Sequence, residues 1–331
     1  MNMDLKENGM QKRTRMFFNH KILVLFLVLS TMLLTACKEK EDLKETYRRE
    51  GIQALEEENY DLAIEKFETA LTQTHGIIKK TDYDINYYLG YTLYLNGQYD
   101  ESKAVFDAML DIREKETDAY YYRALSKLKL GDRAGAREDY DKVTSADPEN
   151  YDTYIDIYFC MCDAGYGQDG QNYLKETLEN AKKMSDYDKG RICYFLGDYS
   201  NARVYLEKAK DMKDPETILI LGKTYEAIDD NSYAASLYNS YLVEKGNNAS
   251  VYNQLGVCRL RLEDYDAALA AFTSGLSLED PEWEQELLYN EAIAYEYKLD
   301  FDTAKKKLEA YVEKYPKDEA AKRELLFLST R

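Results

Sequence analysis

Small residues recur along this chain at a nearly constant interval. Ala63, Ser102, Ala136, Gly170, Ala202, Ala234, Ala268 and Ala304 are separated by 39, 34, 34, 32, 32, 34 and 36 residues. Four positions after each stands a large side chain: Phe67, Phe106, Tyr140, Leu174, Leu206, Tyr238, Phe272 or Leu308. Residues four apart share one face of a helix, so each pair predicts a helix that buries a small residue beside a bulky one. Twelve positions before each small residue lies Gly51, Gly90, Ala124, Tyr158, Gly190, Gly222, Gly256 or Ala292, and of these only Tyr158 is large. A period in the low thirties leaves room for two helices per unit and predicts stacked antiparallel pairs. Pro148, Pro215, Pro281 and Pro316 fall at the expected junctions, where proline ends one helix without breaking the next.

The phrase is fullest at Tyr252-Asn253-Gln254-Leu255-Gly256, followed by Asp264-Tyr265-Asp266-Ala267-Ala268, Phe272, Gly275 and Asp280-Pro281. It resembles a tetratricopeptide repeat. The resemblance spans 46–316 and implies an all-α fold: a right-handed solenoid of about eight helix-turn-helix repeats whose first helices line a concave surface. The long first spacing inserts residues 74–82, and the fourth repeat, around 158–190, departs most from the pattern. Beyond Pro316, residues 317–331 predict a capping helix with an apolar stripe of Ala320, Ala321, Leu325, Leu326 and Leu328.

The N-terminus has a different character. Lys6, Lys12, Arg13, Arg15 and Lys21 precede an apolar run, Ile22 to Leu34. As a helix that run is roughly 20 Å long, against a hydrocarbon core of about 30 Å. It ends in Leu34-Thr35-Ala36-Cys37, which resembles the lipobox of bacterial lipoproteins. The resemblance implies a cleaved leader over 1–36, an acylated Cys37 opening a short tether over 37–45, and a protein anchored in the cell membrane by lipid, facing outside the cytoplasm.

Composition narrows the function. A net charge of -18 disfavours binding nucleic acid through its phosphates. Only two histidines occur, and His20 lies in the leader, which leaves His75. Triads and zinc sites that need several imidazoles are therefore not expected, nor is a catalytic domain, since the repeats occupy most of the chain. No cofactor and no metal are expected. Cys160, Cys162, Cys193 and Cys258 read as small buried apolar side chains, although export would permit disulfides.

Binding is then the expected activity. In the family, ligands meet the first helices one residue after the aromatic slot and one after the small slot. Carried over, this implies a groove of Tyr87, Tyr91 and Tyr94, then Tyr121 and Leu125, then Ile155 and Phe159. Later repeats contribute Tyr187, Arg191, Tyr194, Lys223, Asn253 and Arg261, with Tyr289 and Tyr297 beyond. Tyrosines at these positions serve either as contact area for a ligand or as packing between repeats. The Lys and Asn set with which some family members grip a C-terminal carboxylate is absent from repeats two to four. The expected function is a non-catalytic scaffold that holds a segment of another cell-envelope protein in its groove. The alternative is a glycan-binding surface lipoprotein that stacks tyrosines on sugar faces, for which Trp283 is the single tryptophan.

Overall fold

A computed structural model describes residues 41–74, 77–210 and 214–330. The leader, Cys37 and His75 lie outside the described residues. Among the described residues every regular element is an α-helix. They are α1 (41–56), α2 (Tyr60–Thr72), α3 (Lys80–Leu95), α4 (Tyr99–Ile112), α5 (Thr117–Lys129), α6 (Arg133–Ala146), α7 (Tyr151–Asp163), α8 (Gly167–Asn180) and α9 (Asp186–Phe195). There follow α10 (Tyr199–Ala209), α11 (Pro215–Ala227), α12 (Asn231–Lys245), α13 (Ala249–Arg261), α14 (Tyr265–Leu276), α15 (Glu284–Tyr297), α16 (Phe301–Lys314) and α17 (Glu319–Leu328). None is long and apolar enough to cross a membrane. Residues 41–45, expected as tether, are already helical, and Lys44 is buried.

The chain forms two compact units, one reaching Asn150 and including Asp163–Gly165, the other comprising Tyr151–Cys162 and everything from Tyr166. The first holds three helix pairs. The second holds five pairs and α17. Within each unit, the first helices of successive pairs touch, as α3 does α5, α9 does α11 and α11 does α13.

Each pair is locked by one contact. All eight large side chains, from Phe67 to Leu308, have no exposed surface. Five of them sit over a glycine of the preceding helix so closely that a Cβ added at Gly51, Gly190, Gly222 or Gly256 would stand 2.2–2.6 Å, and at Gly90 2.7 Å, from the opposing side chain. The fourth repeat reverses the parts. Its first helix carries Tyr158, and the second helix answers with Gly170, whose added Cβ would lie 3.1 Å from the Tyr158 ring. The departure visible in the sequence is a compensated swap.

The turn inside each pair also has a fixed form. The residue five before the small slot has positive φ in all eight: Glu58, Gly97, Gly131, Gly165, Gly197, Asp229, Glu263 and Leu299. A left-handed backbone costs a residue with a Cβ roughly 1–2 kcal/mol, which glycine avoids. The next residue caps the second helix. Asn59, Asp132, Asp198, Asp230, Asp264 and Asp300 each accept the N–H three residues on.

Pro215 is the first residue of α11, where its missing N–H costs nothing, and the other prolines lie between helices. In α17, Ala321 and Leu328 are buried against α16, but Ala320 and Leu326 of the expected stripe are exposed. The helix is ten residues long and turns only part of that stripe inward.

Ion pairs stitch the first unit. Lys44 Nζ donates to Asp82 Oδ1 at 2.8 Å, with both groups buried, and Thr74 Oγ1 and the Lys79 N–H donate to the same carboxylate. Burial pushes the Asp82 pKa up, but the hydrogen bonds from Lys44, Thr74 and Lys79 outweigh it and hold the group below the ordinary carboxylate range. Asp107 is depressed in the same way: Lys103 and Arg123 overcome its burial. Arg123 also forks onto the buried Asp139, which Lys127 meets at 2.8 Å.

Two outcomes follow from this packing. Gly256→Ala drives a methyl into the Phe272 ring and should cost about 1–3 kcal/mol in urea unfolding; an unchanged midpoint would show that the ring moves aside freely. Carboxylates with depressed folded pKa values stabilise the fold above their unfolded pKa of about 3.9, and that stability is lost as pH falls through the lower folded values. Thermal midpoints should therefore drop between about pH 5 and pH 2, and Asp107→Asn should be less stable at pH 7 with a shallower acid limb.

Candidate functional site

In the first unit, the tyrosines placed in the groove pack ring against ring. Tyr87 meets Tyr88, Phe106 and Tyr122 edge-on, with centroids 5.2–6.4 Å apart. Burial raises its hydroxyl pKa. Tyr91 also lies edge-on to Tyr122 at 5.2 Å, Tyr94 tilts against Tyr99 at 5.6 Å, and Tyr121 sits between Tyr122 and Tyr140. All four are half-buried. They serve as packing between helices and offer only part of each ring outward.

In the second unit the predicted positions divide. Ile155 and Asn253 are buried, Asn253 with 4% of its surface exposed and its Oδ1 accepting from Asn290 Nδ2 at 2.9 Å. Asn253 therefore ties α13 to α15 and is not presented to a ligand. Phe159 is exposed, with an edge contact to Phe195 at 5.1 Å. Arg191 pairs with Asp152 at 2.5 Å and stacks over Tyr187, whose hydroxyl pKa burial pushes up to about 12. Trp283 is half-buried against the core between α13 and α15.

Three predicted residues do converge. Tyr194 of α9, Lys223 of α11 and Arg261 of α13 line one open cleft of about 520 Å³, together with Glu226, Asp229, Asn231 and Gln254. Glu226 is nearly buried and accepts from Arg261 Nη1 at 2.6 Å and from the Tyr238 hydroxyl at 2.8 Å. Beneath it, burial chiefly, and then the Glu226 carboxylate, push the Cys258 thiol up, so that sulfur stays protonated. The carboxylate thus holds Arg261 in place. Lys223 has no ion-pair or hydrogen-bond partner among the described residues, and the same holds for the Gln254 amide and the Tyr194 hydroxyl. A cleft with an ammonium, an amide and a phenol directed by three successive first helices can donate to the carbonyls or carboxylates of an extended segment.

Glu226, Asn231 and Gln254 were not among the predicted groove residues. Glu226 stands four residues after Gly222, as Tyr194 stands four after Gly190. That shared offset is the signal that places it in the cleft. Elsewhere, none of the four described cysteines is in a disulfide. Cys193 and Cys258 are buried, and burial lifts Cys193 to about 11, whereas Cys160 and Cys162 are only half-buried.

Sequence profiles described as tetratricopeptide repeat match residues 54–128, 118–150, 187–214, 249–280 and 286–318. The chain belongs to the tetratricopeptide-repeat family. No curated protein sequence matches it. Among solved structures, a tetratricopeptide repeat protein from Parabacteroides merdae is similar at 16% identity and a TM-score of 0.43, covering 76% of this chain and 99% of its own. Yeast Tom70 is similar at 15% identity and 0.44, covering 88% and 89%. The pilF protein of Pseudomonas aeruginosa is similar at 18% identity and 0.38, covering 75% and 97%. Family membership agrees with the helix pairs, the sockets and the turns, and it makes protein-protein contact the general activity of the fold.

The two cations of the cleft should behave differently. Arg261→Ala leaves Glu226 without its cation and should cost about 1–2 kcal/mol in equilibrium unfolding. Lys223→Ala breaks no contact and should stay within about 0.5 kcal/mol of wild type. Equal losses would mean that Lys223 is also a structural cation.

Proposed function

We propose that this tetratricopeptide-repeat protein is a non-catalytic scaffold, held on the outer face of the cell membrane by lipid on Cys37, that binds an extended segment of another envelope protein along its first helices. The observation that carries the binding reading is the cleft of Tyr194, Lys223, Gln254 and Arg261, where three polar groups have no partner among the described residues and one cation pairs with Glu226. An extended segment suits such a cleft because its backbone carbonyls repeat along the same line as the helices do. The tether rests on the order of basic residues, apolar run and Leu34-Thr35-Ala36-Cys37. Removal of 1–36 takes away more basic than acidic side chains, so the exported body is more acidic than the whole chain. An anionic lipid surface repels such a body, which makes the acyl chains its means of attachment.

Mass spectrometry of the protein taken from its own membrane should find a mature N-terminus at acylated Cys37, and Cys37→Ala should abolish acyl labelling. An unmodified Cys37, or a chain that keeps Met1, would refute the tether. In the same membranes, Lys223→Glu should lower crosslinked recovery of the envelope partner at least tenfold with the unfolding midpoint unchanged. Full recovery by the folded variant would remove the cleft from the binding face.

A further inference from the structure

The segment that leads into α3 exposes two adjacent isoleucines. Ile77 has 86% of its surface exposed and Ile78 45%, and Lys79 and Lys80, both exposed, follow at once. Two contacts hold the segment in place. The Lys79 N–H donates to Asp82 Oδ2 at 2.8 Å, and Lys79 Nζ donates to Glu41 Oε2 at 2.7 Å. Glu41 opens α1 and stands four positions after Cys37. At about 3.6 Å per residue, even a fully extended chain keeps Glu41 within roughly 14 Å of Cys37. Lipid on Cys37 therefore brings the exposed isoleucines beside the membrane surface. The charge around them also differs from that of the acidic body. Lys79 offsets Glu41, Lys44 offsets the buried Asp82, and Lys80 has no ion-pair partner among the described residues. Lys38-Glu39-Lys40, between Cys37 and α1, adds one net positive charge, against the exposed Asp42.

We propose that the 77–80 segment is a second membrane contact, with Ile77 and Ile78 seated in the bilayer interface and Lys80 at the lipid phosphates. The short connection to Cys37 selects lipid as the occupant, because it keeps the segment at the bilayer whatever else the protein binds. Apolar side chains next to lysine suit that boundary: the isoleucines leave water for the acyl region, while the ammonium stays with the headgroups. Acyl chains on one residue attach a protein at a point and leave its orientation open. A second contact held to α1 through Lys79 and Glu41 turns the first pair of helices toward the lipid, while repulsion keeps the more acidic surfaces away. The proposal rests on the lipid-anchored reading given above.

The test uses the full chain, processed in and purified from its own membrane, in nanodiscs of phosphatidylethanolamine and phosphatidylglycerol. A diazirine-bearing leucine analogue is placed in turn at 77, 78, 243 and 299, the last two being the exposed Val243 and Leu299 of the second unit. Mass spectrometry then reads the lipid adducts and the state of Cys37 in the same sample. On acylated protein, lipid adducts at 77 and 78 should exceed those at 243 and 299 at least tenfold. Lys80→Glu breaks no ion pair, so it should leave the unfolding midpoint undiminished while lowering the adducts at 77 at least threefold. Equal yields at all four sites, or no lipid adducts at 77 and 78, would overturn the proposal and leave the acylated tether standing. If the same scan in native membranes joins 77 to a protein in place of lipid, the assigned occupant is overturned. An unmodified Cys37 would overturn the tether and this contact with it.

Discussion

The structure depends on a steric fit between paired helices: in five pairs a large side chain of one helix fills the place where its partner helix has a glycine, and in the fourth pair the parts are reversed. Phe272 over Gly256 and Tyr238 over Gly222 leave no room even for a methyl group. Close approach of the backbones fixes the crossing of each pair, and the fixed crossing determines which positions of the first helix remain outside the core. The proposed binding face is what this packing leaves uncovered. Ala124 and Ala292 stand at the corresponding positions of two other repeats and are fully buried, as are Tyr140 and Leu308.

Polar chemistry then divides that face. In the first unit it is occupied by contacts within the protein: Lys44 with Asp82, Arg123 with Asp107 and Asp139, and tyrosines packed edge to face. In the second unit, Arg261 is immobilised by Glu226, but Lys223 and Gln254 remain available. A cation paired with a carboxylate beside one with no partner among the described residues suits recognition, since the first sets the position and the second can turn to the acceptor.

The repeat, the helix pairs and the eight sockets were legible in the sequence because each requires a particular residue size at a fixed spacing. Tyr158 stood out as a departure, yet its answer in Gly170 needed the contact itself. The left-handed turns were hidden because only four of the eight carry glycine, and Glu58, Asp229, Glu263 and Leu299 give no compositional signal. The residues of the candidate cleft were legible only in part. Tyr194, Lys223 and Arg261 follow from their offsets, whereas Asn253 has a groove offset and is buried, because Asn290 on the neighbouring first helix draws its side chain inward. Whether a tyrosine packs or protrudes depends on the rings around it, and Tyr87 differs from Tyr297 in its neighbours and not in its own sequence context.

A stack of rigid pairs whose first helices carry the available polar groups makes a directional claim: partners contact first helices and not second helices. The most direct measurement is a photocrosslinking scan in native membranes, with the reactive side chain placed in turn at exposed positions of α9, α11 and α13 and at exposed positions of α10, α12 and α14. Adducts of one envelope protein confined to the first helices, and centred on 194, 223 and 254, are the predicted result. Adducts of equal yield on the second helices, or none on α9, α11 and α13, would contradict it.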